Sequence, residues 1–126
     1  MKWILIIARV LLGLIFIIFG LNGLFTFIPV PEFHPFMQQL VDSNLIVVVK
    51  VLEITGGILL LTRRYTLFAI IILGPVVVNI LLYHLLLDPR NMAAGFVNLV
   101  LYIIIVIGYW NHLKILLTKK PASQFE

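Results

Sequence analysis

The chain has 126 residues, 63% of them hydrophobic and 11% charged, with a formal charge of +4 and a mean hydropathy of +1.19. Soluble domains run nearer half apolar and a quarter charged, and a fold this small has too much surface to hide so much Leu, Ile, Val and Phe. The composition therefore excludes an ordinary water-soluble fold and a nucleic-acid-binding role for the positive charge; the absence of cysteine excludes disulfides, thiolate chemistry and Cys-ligated clusters.

A helix rises ~1.5 Å per residue, so crossing a ~30 Å hydrocarbon core takes ~20 apolar residues. The first such run is 3–25. It is longer than a signal-peptide core and no small-x-small site follows, so it is expected to remain as a span. The one long connection, 26–44, is interrupted by Pro29, Pro31 and Pro35. It carries Glu32, His34 and Asp42 but no Lys or Arg. Its stretch "PFMQQLVDSN" has the pattern of a short amphipathic helix with Pro in the first turn. The second run, 45–61, is barely long enough. "TRRY" then makes a tight turn into the third run, 65–87, whose Gly74-Pro75 step should loosen its helix. "DPRN" leads to the fourth run, 93–113, and 114–126 is a polar tail. No run alternates as a barrel strand does, so every span should be helical. The expectation is a single-domain, all-α integral membrane protein, a four-transmembrane-helix bundle.

Lys2, Arg63, Arg64, Lys114, Lys119 and Lys120 fall on one side of such a bundle, with Arg9 close enough to snorkel to it. Arg90, beside Asp88, is on the other side. The positive-inside rule then places both termini and the "TRRY" turn in the cytoplasm and the long loop outside.

The second run raises a question, because "KVLEITGGILLL" sets Lys50 and Glu53 in an otherwise apolar span. Counting from the outer boundary, Lys50 lies ~7 Å deep, Glu53 ~12 Å, Asn79 ~12 Å, His84 ~5 Å, Asn22 ~5 Å and Asn98 ~8 Å, with Tyr102 one turn further in. All four spans thus place polar groups in the outer half. Lys50 and Glu53 share a helix face, as do Asn79 and Tyr83, and Asn98 and Tyr102. His84 lies ~140° around its helix from Asn79, so the two could border one cavity only at its edges. Two readings follow. Glu53, Lys50, Asn79, His84, Asn98, Tyr102 and Asn22 line a ligand-binding pocket, since intramembrane ionisable groups usually face a cavity or a partner. Alternatively, the same residues hydrogen-bond across helices and fix packing, with Gly13, Gly20, Gly56 and Gly57 admitting close approach.

No CxxC, HExxH, P-loop or GxSxG pattern is present, so no catalytic residue is assigned. His34, His84 and His112 stand on different segments without helpful companions, and no metal site is expected. No cofactor ligand set is evident. The pocket would suit a quinone, which needs carbonyl partners and a flat apolar slot.

The run 50–89, with Glu53 followed by Gly56-Gly57 and an aliphatic stretch, then Asn79 and His84 in "NILLYH", resembles the DoxX and DoxX-like group of small bacterial four-helix membrane proteins. The opening "ARVLLGLIFIIFGLNGLF", 8–25, is similar to that group's first span. The resemblance implies a compact four-helix bundle in the bacterial inner membrane. It implies Glu53, Asn79 and His84 as site residues, and a link to membrane oxidoreductase systems as an accessory or quinone- or lipid-binding subunit. Expected partners are the bilayer, such a ligand and the subunits of a redox complex. The alternative is a non-enzymatic assembly protein whose polar cluster fixes helix packing.

Overall fold

A computed structural model describes residues 1–29, 34–90 and 92–125. Pro31, Glu32 and Asn91 lie outside the described residues. Among the described residues the secondary structure is entirely helical.

Helix α1 covers Lys2–Phe25. It stops where Thr26 turns left-handed (φ 49°) and returns its amide to the carbonyl of Asn22. Helix α2 is Pro35–Asp42, the short helix expected after the prolines. Pro35 sits at its first turn, where a missing N–H costs nothing, and the His34 ring caps it by accepting from the Phe36 amide at 3.1 Å. Helix α3 is Leu45–Thr62 and α4 is Thr66–Leu82. Between them Arg63 and Tyr65 both take left-handed backbone (φ 59° and 55°), which reverses the chain within a few residues.

Pro75 lies inside α4, and after Leu82 the winding widens to a π-helical turn, Tyr83–Leu87. Helix α5 is Met92–Gly108. The fourth run does not continue as one helix to 113. It breaks at Tyr109, and Trp110–Leu113 (α6) with the 3-10 turn Lys114–Leu117 leaves at 72° to α5. Just before the break, a Cβ on Gly108 would collide with the Leu5 side chain, so α1 packs closely beside that turn.

The contacts run round a ring. α1 packs on α3 and α5, and α4 packs on α3 and α5. Neighbours are antiparallel. Gly13 meets Gly57 and Gly20 meets Ile54 and the Lys50 carbonyl across the α1–α3 seam, while Gly56 meets Leu73 of α4. Small residues at these points let backbones approach, which is how helices associate where lipid removes the hydrophobic drive. The interior holds Leu12, Phe16, Leu60, Leu73, Val77 and Ile105.

Three helices are long and apolar enough to cross a membrane, four if α5 and its bent continuation count as one span. Only 33%, 22% and 22% of the residues in the three spans' apolar windows are buried. Exposed Ile, Leu, Val or Phe side chains stand on each of these helices, a surface compatible with a multi-pass membrane protein.

Candidate functional site

The polar residues of the spans separate into four groups. The innermost is Arg9. It does not snorkel to the surface. It is buried, and Nη1 donates to the carbonyl of Leu60 and, at 3.4 Å, to that of Leu61. Those carbonyls belong to the last turn of α3, which has no intrahelical partner for them, and the guanidinium meets the negative end of the helix dipole.

The second group is Tyr102. Its hydroxyl donates to the carbonyl of Ile70 at 2.7 Å, passing over Gly74, where a Cβ would stand 2.9 Å from the same oxygen. Tyr102 therefore ties α5 to α4 beside the Pro75 step, and its one donor is engaged.

The third group is the centre of the expected site. Lys50 Nζ lies 3.1 Å from Glu53 Oε2, one helical turn apart on α3. Glu53 is 3% exposed. The Lys50 stem lies over Gly23 of α1, in the space where a side chain would otherwise stand. Glu53 Oε2 is buried and, apart from this ion pair, receives no hydrogen bond among the described residues. Asn98 is also buried, on α5. Each of these two stands one turn from a shared layer: Glu53 from Gly56, which meets Leu73, and Asn98 from Tyr102, which meets Ile70. Glu53 and Asn98 thus occupy similar depths on opposite helices of the ring. Asn22, the residue before Gly23, is buried but committed elsewhere: its Oδ1 accepts from the Ile28 amide at 2.7 Å and holds the chain leaving α1.

The fourth group is the rim at the end of the bundle remote from Arg9. His84 packs against Gly95 of α5, and its Nδ1 lies 3.2 Å from the carbonyl of Asp88. An acceptor there requires that nitrogen to carry the proton. The Tyr83 hydroxyl donates to Asp88 Oδ2 at 3.3 Å. Asp88 Oδ1 accepts from the Arg90 amide at 3.2 Å, an Asx-turn, while Arg90 Nε and Nη2 grip its two oxygens at 2.8 and 2.7 Å. Those guanidinium bonds hold the Asp88 carboxyl well below the usual carboxylate range. The rings of His34 and Phe36 lie on Tyr83 with centroids at 6.1 and 6.2 Å, which seats the start of α2 on the end of α4.

No match to a protein-family model, a curated protein or a solved structure is found for this chain.

Of the residues expected to line a pocket, Lys50 and Glu53 meet, and Asn98 shares their interior. His84 is at the rim, one group further out. Asn79 is not among them: it lies on the exposed face of α4. Two shallow depressions lie at the opposite end, one beside Gly108 and Trp110, the other between Arg63 and His112. Asp88, Arg90 and Tyr83 were missed as a unit. The signal was an Asp followed by Pro and Arg, a sequence suited to an Asx-turn. Among the described residues no group of three or more His, Asp or Glu stands together as metal ligands would.

Proposed function

We propose that the chain is a DoxX-like protein of the bacterial inner membrane. It is a four-helix bundle with both termini in the cytoplasm, serving as an accessory, small-molecule-binding subunit of a membrane redox system. The ligand class is amphipathic, quinone- or lipid-like, and its polar head is read by Glu53, with Lys50 balancing the charge and Asn98 offering an amide from across the bundle. His84 stands where such a head would pass the rim.

The observation that carries this reading is the Glu53 carboxylate. It is buried, and apart from the Lys50 ammonium at 3.1 Å its Oε2 receives no hydrogen bond among the described residues. A carboxylate accepts several hydrogen bonds and is costly to bury short of them. An ionisable group at that depth is a functional-site hypothesis by default.

A second reading rests on a different observation. The Lys50 stem fills the space above Gly23, so the pair also shapes the α1–α3 seam. On that reading the protein is non-enzymatic and structural, and the pair specifies packing.

Native mass spectrometry with lipidomics on detergent-extracted wild type and Glu53→Gln separates the two. A co-purifying quinone or lipid that the variant loses while its helicity persists supports the binding reading. Ligand-free protein in both samples, with a variant that unfolds earlier, supports the packing reading.

A further inference from the structure

The strongest unassigned feature lies at the end remote from Glu53. We infer that the segment bent away from α5, together with the α3–α4 turn, forms a binding surface for anionic phospholipid in the leaflet at that end.

The bend makes the surface. At 72° to α5, the segment 110–117 runs across the bundle end instead of continuing along the span. Leu113 is buried in the core and pins it there. Ile115, Leu116 and Leu117 are 65–69% exposed, and Trp110 is also open. Three consecutive aliphatic residues facing outward at a span's end belong at the headgroup–acyl boundary, as interfacial helices place theirs.

The same end is cationic. Lys114 lies within the bent segment and Lys119 and Lys120 follow it, all exposed. Arg63 and Arg64 project from the α3–α4 turn. One depression joins the two elements, lined by Arg63, Tyr65 and Thr66 on one side and Tyr109 and His112 on the other. The sequence holds no Asp or Glu between 54 and 87 or between 89 and 125. Among the described residues none of these cations is engaged in an ion pair. Cations without an ion-pair partner among the described residues, interleaved with hydroxyl and aromatic groups, suit a phosphate. The aliphatic run beside them decides between sources: a free phosphate has no use for it, whereas a phospholipid presents acyl chains at that place. Basic residues at a membrane surface each strengthen binding to anionic lipid.

The test uses the full chain in micelles or nanodiscs that mix phosphatidylglycerol with phosphatidylcholine. In native mass spectra the wild type should retain phosphatidylglycerol preferentially. The triple variant Arg63→Gln, Arg64→Gln, Lys114→Gln should lose that preference, by about fivefold for each cation that meets a headgroup. Should the triple variant fail to fold, a second measurement decides. Trp3→Phe leaves Trp110 as the one tryptophan, since the chain has two. Brominated phosphatidylglycerol should then quench its fluorescence more than brominated phosphatidylcholine. Quenching of Trp110 reports on this end of the bundle alone, so this surface stands or falls apart from the site around Glu53. Equal retention of the two lipids, equal quenching, or displacement of the lipid by excess inorganic phosphate would each overturn the inference.

Discussion

Arg9 of α1 donates to the carbonyl of Leu60, two residues before the end of α3, and does so from a buried position. A cation on one helix thus closes the open end of another. Replacing Arg9 by Met keeps the bulk and removes the donors, leaving two backbone carbonyls without their partner. The cost should be ~1.5–3 kcal/mol, the range for a hydrogen bond to a charged group. Arg9→Lys should recover part of it, because one ammonium reaches one carbonyl but lacks the planar fork. Unfolding midpoints in mixed micelles, followed by far-ultraviolet circular dichroism, check this. Wild-type midpoints in Arg9→Met would mean that the contact adds nothing to α3.

The glycines divide by what stands beside them. A Cβ on Gly57 would lie 2.7 Å from the Gly13 carbonyl oxygen, which is backbone and cannot swing aside. Gly57→Ala should therefore push α1 from α3 and cost ~1–3 kcal/mol, as overpacking does. At Gly95 the nearest atom is His84 Cδ2 at 3.5 Å, an ordinary contact. There Ala should be neutral or stabilising by up to ~1 kcal/mol, since it relieves the helix of a glycine's entropy. The two variants measured together make the comparison, and equal losses at both positions would contradict it.

Lys50 and Glu53 should respond asymmetrically to single and double replacement. Removing one partner leaves the other's charge buried, at ~3–5 kcal/mol, whereas exchanging both for apolar residues of similar volume is often close to neutral. Lys50→Met and Glu53→Leu should each destabilise, and the double variant should regain most of the loss. A double variant as unstable as the sum of the singles would show that the pair is held by contacts other than its own attraction.

The turn after α4 carries a pH dependence with a definite sign. The carboxyl of Asp88 is held below its ordinary value, chiefly by the Arg90 guanidinium. A depressed carboxylate stabilises the folded state fully above the unfolded value of ~3.9 and loses that contribution as pH falls towards the lower folded value. The difference in unfolding midpoint between wild type and Asp88→Asn should be flat from neutral pH to about pH 5 and shrink only in strong acid. A difference that collapses near neutrality would point to a histidine instead.

Much of the fold was legible because lipid imposes it. Long apolar runs with no alternation mark helices, and the sites of three spans and of α2 follow from run length and proline placement. The break at Gly108 was not legible. Gly108 and Tyr109 sit in an unbroken apolar run with no proline to mark a helix end, and Leu5, which packs against Gly108, lies more than a hundred positions away. Asn79 fared similarly. Its place in the expected pocket rested on depth along the span, and depth does not say which face of α4 carries a residue; Asn79 falls on the exposed one. Arg9 was placed at the right depth but given the wrong role, because depth alone does not reveal a neighbouring helix end in need of donors. Lys50 with Glu53 was readable because a span has few reasons to hold two opposite charges one turn apart.

The seam where Gly13 lies on Gly57 has a mechanical consequence. Backbone on backbone leaves no side chain to flex between the two helices, so α1 and α3 behave as one stiff plank, with Arg9 clamping its end. The other two helices are irregular: α4 carries Pro75 and a π-helical turn, and α5 snaps at Tyr109. Any change of shape that accompanies binding will be concentrated in α4 and α5, swinging against a frame that does not bend.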